Sequence, residues 1–287
     1  MNVLSLFDGM SCTQIALESC GHAVDKYYAS EVNENAIKVT NSNYPNTAQL
    51  GDVTKWRDWD LDWSSIDLLS GGSPCQGFSF AGKQLAFDDP RSSLFFVYKE
   101  ILEHIQSLNP RVLFLLENVK MKKEFSDVIS ESLGVQPVFI NSALVSAHNR
   151  QRNYWANWEF PLPQDRGIHM NSVLEDGFYS TREKSYCLDA NYGKGTNFRR
   201  YFYCGSRQIV LENGYSPSTM TKETANDVMR SDGKRWRMLT VKECERLQCV
   251  PEGYVDLVDI PKTEKYKLLG NGCTIDVISH IHNYAGV

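Results

Sequence analysis

The chain has 287 residues, of which 42% are hydrophobic and 23% charged, and its formal net charge is −5. This composition is typical of a globular protein that buries a large core without metals or disulfide bonds. No run approaches the roughly 20 apolar residues that cross a bilayer, which argues against a membrane protein. The first twelve residues lack a basic region and contain Asp8, so we expect no secretion signal. None of the eight cysteines forms a CxxC pair, which disfavours a zinc ribbon and indicates a reducing compartment.

Charge is unevenly distributed along the chain. Residues 1–146 carry a net charge of −7, residues 147–246 carry +4 and residues 247–287 carry −2. This pattern fits an acidic catalytic body joined to a module that faces a polyanion. Chance clustering of charges on a solvated surface explains the same numbers equally well.

Short apolar runs alternate with helical patterns through the first 160 residues. The runs at 3–7, 28–32, 66–70 and 112–116 predict buried strands. Apolar residues spaced by three or four predict a helix over 94–107. Strands that alternate with helices predict an α/β fold with a doubly wound, mostly parallel sheet.

The regular pattern disappears between residues 166 and 236. This segment is rich in Gly, Asn, Ser and Arg and contains ten aromatic residues, so we expect a small, irregular, β-rich insert. A helix follows, with Thr240 as its N-cap and Glu243 as the capping-box partner. We therefore divide the chain into a body at 1–165, the insert at 166–236, and a C-terminal segment at 237–287 that returns to the body.

Three groups of polar residues occur at or near the ends of predicted strands. Cys75 lies in a Gly/Pro turn after the strand 66–70, at the sheet edge where open α/β folds bind ligands. Glu117 follows the strand 112–116, which places its carboxyl group on the same edge. Arg150 and Arg152 alternate, and we expect both on one face of a strand. Taken singly, each feature also fits a structural role: a cysteine in a turn, a solvated acid and a surface arginine pair.

Together these residue types suit chemistry on an electron-poor ring. C5 of cytosine is not nucleophilic until a thiolate adds at C6 and converts the ring into an enamine. A positioned acid that protonates N3 stabilises this adduct and contributes about 10²–10⁴ in rate.

The motifs resemble those of the C5-cytosine DNA methyltransferases, and the resemblance runs nearly end to end. In family order they are Phe7-Asp8-Gly9, Glu31, Asp52, Pro74-Cys75-Gln76, the segment from Gly82 to Phe96, Glu117-Asn118-Val119, Arg150-Gln151-Arg152, the stretch from Leu239 to Tyr254, and Leu269-Gly270-Asn271-Gly272. Motifs of three residues are weak evidence singly, but their common order makes the resemblance specific. It implies the class I S-adenosylmethionine-dependent methyltransferase fold, with 166–236 as the target-recognition domain.

The resemblance also implies a reaction and roles for residues. The methyl group of S-adenosylmethionine would pass to C5 of a cytosine flipped out of duplex DNA, leaving S-adenosylhomocysteine, with no metal. Cys75 would be the nucleophile on C6, Glu117 the acid at N3, Arg152 a contact to the base, and Arg150 a contact to Cys75 or a phosphate. The cofactor-binding residues implied are Phe7, Asp8, Gly9, Glu31, Val32, Asp52, Val53, Pro74, Leu94 and Asn271.

The expected DNA contacts lie in the loop 76–93, which would close over the flipped base, and in the insert. They are Gln76, Ser79, Lys83, Arg91, Arg182, Lys184, Lys194, Arg199, Arg200 and Thr221. The expected partner is duplex DNA and not a membrane, and we expect a monomer in the cytoplasm of a bacterial or phage-infected cell. Whether a cognate restriction endonuclease exists stays open.

The sequence departs from the family pattern at three positions. Thr13 stands near the place of a second glycine in the first motif, His148 replaces a glutamine, and Gly272 replaces a serine. None of these is the nucleophile, the acid or an arginine of the site.

Three alternatives stay open. They are a tRNA cytosine-5 methyltransferase, a non-catalytic DNA-binding relative and a cysteine hydrolase. A dedicated insert favours duplex DNA over tRNA, because groove reading needs a surface of its own. Intact Cys75, Glu117 and Arg152 disfavour a non-catalytic relative, and a hydrolase would need a Cys–His pair that the sequence does not show near Cys75.

Overall fold

The structure, a computed structural model, describes residues 1–74, 93–175, 177–195, 207–212 and 235–286. The chain forms two compact units. The first comprises Met1–Ile140, Gln151–Leu162 and Val277–Val287, and the second comprises Asn141–Arg150 and Pro163–Asp276. Within the described ranges, no helix is long and apolar enough to cross a membrane.

Ten strands and seven α-helices are described in these ranges. The strands are β1 Asn2–Leu6, β2 Lys26–Ser30, β3 Ala48–Gln49, β4 Leu68–Gly71, β5 Leu113–Val119, β6 Val138–Asn141, β7 Gln151–Ala156, β8 Phe178–Tyr179, β9 Ile209–Glu212 and β10 Trp236–Met238. The helices are α1 Cys12–Ser19, α2 Glu34–Asn43, α3 Ser93–Leu108, α4 Lys123–Leu133, α5 Val241–Gln248, α6 Lys262–Asn271 and α7 Ile275–His282.

The first unit is built on a seven-stranded sheet with the order β3-β2-β1-β4-β5-β7-β6. The neighbours from β3 to β5 are parallel, whereas β7 runs antiparallel to β5. Side chains of β1 alternate between two apolar clusters: Leu4 and Leu6 pack with α3, while Val3 packs with Leu17 of α1. Both faces of the sheet are therefore covered, as a mostly parallel sheet requires. The predicted α/β fold is confirmed.

Two strand ends differ from the sequence prediction in ways that matter for the site. β2 ends at Ser30, so Glu31 and Val32 follow the strand. β5 continues to Val119, so Glu117 lies inside the strand. The extension of β5 results from pairing with β7, which places Glu117 opposite Tyr154 and Val119 opposite Arg152.

The second unit contains the antiparallel sheet β10-β9-β8 together with α5 and α6. A second, small antiparallel sheet is therefore present, as the prediction of a small β-rich part requires. The capping box at the start of α5 is also confirmed: the Thr240 side chain accepts from the Glu243 N–H, and the Glu243 carboxylate accepts from the Thr240 N–H.

The compact units do not follow the predicted boundaries. Of the segment 237–287, which we expected to return to the body, α5 and α6 group with the second unit and only the residues from Val277 onward group with the first. The physical reason is the close backbone approach between α6 and residues 189–193. A Cβ on Gly193 would lie 2.9 Å from the Cα of Thr263.

Candidate active site

An acid and an arginine meet on neighbouring strands of the large sheet. The Nε atom of Arg152 in β7 lies 2.6 Å from Oε1 of Glu117 in β5, and each side chain is only 13% exposed. Arg152 pairs across the strands with Val119, which shares a face of β5 with Glu117 because strand residues alternate. The structure therefore brings together two of the four residues predicted to be catalytic.

The segment that leads to Cys75, the predicted nucleophile, lies beside this pair. β4 runs parallel to β5 and ends at Gly71, which is opposite Leu116. The Nδ2 atom of the buried Asn118 donates to the carbonyl oxygen of Ser73 at 3.3 Å and to its Oγ at 3.1 Å. These bonds tie the end of β5 to the segment that leads into Pro74. Cys75 itself lies outside the described residues, as do Gln76, Ser79, Lys83 and Arg91.

A strained turn after β1 forms the second part of the site. Phe7, Gly9 and Ser11 all have φ near +60°, an unusual conformation for the two non-glycine residues. Such strain persists only where surrounding contacts hold it, and it concentrates at ligand sites. The N–H of Gly9 donates to Oε2 of Glu31 at 2.8 Å, which joins the turn to the end of β2.

Three backbone N–H groups orient the carboxylate of Glu31. Its Oε1 accepts from the N–H groups of Val32 and Asn33, each at 2.8 Å, while Oε2 accepts from Gly9. A carboxylate has about four acceptor positions, so one is left for an incoming hydroxyl group. The side chain of Val32 beside it is 68% exposed and offers an apolar surface.

The carboxyl group of Asp8, a residue predicted to bind the cofactor, is buried inside the turn. Its buried carboxyl group accepts from the hydroxyl of Tyr27 at 2.7 Å and from the hydroxyl of Ser11. Burial raises the pKa of Asp8 to about 6. The group therefore fixes the turn from the inside. This role could not be predicted from local sequence patterns, because Tyr27 is 19 residues from Asp8 along the chain.

The pKa of Asp8 predicts a specific pH dependence of stability. Between the ordinary value of 3.8 and about 6, the native state holds a proton that the unfolded chain has lost. Wild-type stability should thus fall relative to Asp8→Asn as pH rises across this window, by up to about 1.4 kcal/mol per pH unit. Urea unfolding of both proteins at pH 4, 5, 6 and 7 measures the difference. A difference that does not change with pH would show that Asp8 titrates normally.

The other predicted cofactor residues divide into accessible and inaccessible ones. Asp52 is exposed, and the N–H and hydroxyl of Thr54 hold the pKa of its carboxyl group below the usual range. The side chain of Val53 is buried in the core with β1 and α3. Phe7, Pro74 and Leu94 are half-buried. Asn271 is exposed at the end of α6 in the second unit.

Arg150 differs from the prediction. It precedes β7, so it does not alternate with Arg152 along a strand. Its side chain is 2% exposed, and the guanidinium group donates to the carbonyl oxygens of Gly270 at 3.1 Å, Leu188 at 3.4 Å and Asn271 at 3.4 Å. These contacts organise the second unit. They give Arg150 a structural function that does not require Cys75 or a phosphate.

Two of the residues predicted to contact DNA form hydrogen bonds within the second unit. The ammonium group of Lys184 donates to three carbonyl oxygens, those of Ala143, Ser146 and Ile168, at 2.6–3.1 Å. Arg182 stacks on the ring of Tyr186 and donates to the Lys184 carbonyl oxygen. Lys194 is exposed. Arg199, Arg200 and Thr221 lie outside the described residues.

His148, one of the three departures from the family pattern, has a clear structural place. It is fully buried in the second unit, and its Nε2 accepts from the N–H of Leu188 at 2.7 Å. Thr13, the second departure, exchanges a hydrogen bond with the hydroxyl of Ser70 at 2.8 Å. Both residues support neighbouring backbone segments.

Comparison with known proteins agrees with these motifs. The model of the family described as C-5 cytosine-specific DNA methylase matches residues 1–133 and 138–285. The type II methyltransferase M.Bsp6I of Bacillus sp. (strain RFL6) is 29% identical over 98% of this chain and 97% of its own length. The type II methyltransferase M1.ScrFI of Lactococcus lactis subsp. cremoris is 27% identical over 97% and 76%, respectively.

Solved structures share the fold. The Entamoeba histolytica methyltransferase EhMeth matches with a TM-score of 0.76 and 18% identity over 99% of this chain and 97% of that one. A mutant of Spodoptera frugiperda DNMT2 matches with a TM-score of 0.67 and 21% identity over 99% of both chains. At these identities the likeness concerns the fold alone.

Proposed function

The chain belongs to the C-5 cytosine-specific DNA methylase family, and we propose that it methylates C5 of a flipped cytosine in duplex DNA through a covalent bond between Cys75 and C6. The enzyme class is DNA (cytosine-5-)-methyltransferase. The observation that carries the proposal is the Glu117–Arg152 pair beside the stem of the loop that leads to Cys75.

The residues around the strained turn fit S-adenosylmethionine, the cofactor that the family implies. Gly9 and Gly51 both have positive φ, and apart from chain neighbours no atom of the described residues lies within 4 Å of a Cβ built on either, so the described part of the chain leaves the space beside them open. Glu31 retains an acceptor position for a ribose hydroxyl, Asp52 can accept from the adenine amine, and Val32 can pack on the adenine ring. The bound cofactor supplies an electrophilic methyl group.

Side chains of the protein carry out the chemistry on the base. The thiolate of Cys75 adds to C6, which makes C5 nucleophilic. Glu117 hydrogen-bonds the N3 and N4 edge and supplies the proton at N3, and Arg152 contacts the base. After methyl transfer the C5 proton passes to water, and its bonding electrons form the C5–C6 double bond as the C6–S bond breaks. The Cys75 thiolate is restored, and the N3 proton returns to Glu117. Because a duplex stacks its bases, the cytosine must first leave the helix, at a cost of a few kcal/mol.

Labelled methyl transfer to two acceptors tests the proposal. The protein is incubated with methyl-labelled S-adenosylmethionine and either unmethylated duplex DNA of high sequence complexity or bulk tRNA, and the digested nucleosides are separated. We expect label in 5-methyldeoxycytidine from DNA. Label in tRNA alone would establish the tRNA methyltransferase alternative, and label in neither acceptor would favour a non-catalytic relative.

We propose that the second unit reads the DNA, and its lysines provide a matched test. Lys194→Ala should weaken binding to all sequences and reduce the slope of log K against log salt by about 1, because an exposed ammonium that meets a phosphate releases one counterion. Lys184→Ala should leave that slope unchanged, because its ammonium group is held by three carbonyl oxygens. Fluorescence anisotropy across a salt series measures both. An unchanged slope in Lys194→Ala would remove this residue from the interface.

A further inference from the structure

Gly72 follows β4 and precedes the Ser73-Pro74-Cys75 segment. Its φ lies outside the left-handed region, so the backbone conformation alone does not require a glycine there. Among the described residues beyond its two chain neighbours, the atoms within 4 Å of a Cβ added to Gly72 belong to Glu117, with Oε2 at 3.1 Å and the carbonyl oxygen at 3.6 Å. The neighbour that a side chain would disturb is therefore the acid of the site.

The carboxyl group of Glu117 is confined on two sides. Oε1 contacts Nε of Arg152 at 2.6 Å, and Oε2 faces the Cα of Gly72. The bonds from Asn118 to Ser73 hold the two backbone segments together, so Gly72 cannot easily move away. A methyl group at position 72 would have to displace the carboxylate by a few tenths of an ångström, against the ion pair on its other side.

We propose that Gly72 is a positioning residue for the reaction: its missing side chain lets the Glu117 carboxyl group lie between Arg152 and the chain that leads to Cys75. This inference rests on the proposed function, in which Glu117 acts on the base. Small misplacements of a reacting group are costly, since a shift of about 1 Å can reduce turnover about 100-fold.

A double-variant cycle with Glu117→Asp tests the contact. Aspartate is shorter by one methylene group, so its carboxyl group withdraws from position 72. Gly72→Ala should lower kcat for methyl transfer by up to about 100-fold in the Glu117 protein, with the KM for S-adenosylmethionine unchanged. In the Glu117→Asp background the same substitution should cost less than about threefold, because the two effects are not independent. Equal losses in both backgrounds would overturn the proposal.

Gly71→Ala is the matched control. A Cβ at this neighbouring position would lie 3.0 Å from the carbonyl oxygen of Leu6 and 3.1 Å from the Tyr98 ring, within the core. Its cost should appear as a lower melting temperature that is the same with Glu117 or Glu117→Asp. Coupling of Gly71→Ala to position 117 as strong as that of Gly72→Ala would contradict the assignment.

Melting temperatures of the four proteins in the Gly72 cycle provide a readout without turnover. If Gly72→Ala lowers the melting temperature, adding Glu117→Asp should restore part of the difference. If the decreases of the two single variants simply add in the double variant, the proposed contact is contradicted. If the wild type transfers no methyl group, the proposed function fails, while the melting cycle still decides whether Gly72 makes room for Glu117. If Gly72→Ala does not fold, a double variant that folds supports the proposal. A double variant that also fails to fold contradicts it.

Discussion

Replacing Glu117 with glutamine should lower the rate of methyl transfer to DNA by about 10²–10⁴-fold, the contribution of a positioned acid. Glutamine retains the length and shape of the side chain but cannot supply the proton at N3. Because β1 and β4 lie between β5 and β2 in the sheet, Glu117 is three strand spacings, about 14 Å, from the strand that precedes Glu31. Binding of S-adenosylmethionine should therefore stay within about twofold of the wild type. Single-turnover transfer of a labelled methyl group measures the first effect, and calorimetric titration with the cofactor measures the second.

Glu103→Gln is the matched control for the loss of an acid. Glu103 forms a surface ion pair with Lys99 in α3, and such exposed pairs contribute little to stability. This variant should transfer methyl groups at the wild-type rate. A Glu117→Gln protein that is as active as the control would remove Glu117 from the chemistry, whatever the position of Arg152.

Gly270→Ala should be the most destabilising single substitution considered for the second unit. A Cβ at Gly270 in α6 would clash with the carbonyl oxygen of Asp189 and lie 2.7 Å from the backbone nitrogen of Ala190, and backbone atoms cannot rotate away. We expect a loss of about 3 kcal/mol in the free energy of unfolding, the upper end of the usual range for overpacking. Denaturant unfolding measures this loss.

Lys267→Ala, on the same helix, separates this clash from a general loss of helix stability. Lys267 forms a partly exposed i,i+3 ion pair with Glu264, and removing it should cost less than about 1 kcal/mol. If Gly270→Ala unfolds at the same denaturant concentration as Lys267→Ala, α6 does not approach residues 189–190 as closely as described.

Local patterns predicted most of the first unit because its elements are specified by nearby residues. The apolar spacing in 94–107 predicted a helix now found at Ser93–Leu108. In the second unit, Thr240 and Glu243 predicted the capping box from four consecutive residues of sequence. The antiparallel insertion of β7 between β5 and β6 could not be predicted in the same way, because it depends on which distant strands pair.

The sequence predicted those parts of the candidate site that follow from one rule, namely that the carboxyl ends of parallel strands lie at the same edge of a sheet. That rule predicted the proximity of Glu117 to the segment before Cys75, and the structure adds Arg152 as its ion-pair partner. The same rule could not predict which charged groups form hydrogen bonds inside the protein. Asp8 meets Tyr27, and Lys184 meets carbonyl groups as far away as Ala143, so their partners depend on tertiary packing.

Genome-wide sequencing of 5-methylcytosine tests the central claim most directly. The protein is expressed in bacterial cells that lack cytosine methyltransferases of their own, and Cys75→Ala is expressed alongside at the same level. We expect nearly complete C5 methylation at cytosines within one short sequence in the wild-type culture, and none in the Cys75→Ala culture. Unmethylated DNA from cells that contain folded wild-type protein, or equal methylation in both cultures, would contradict the account.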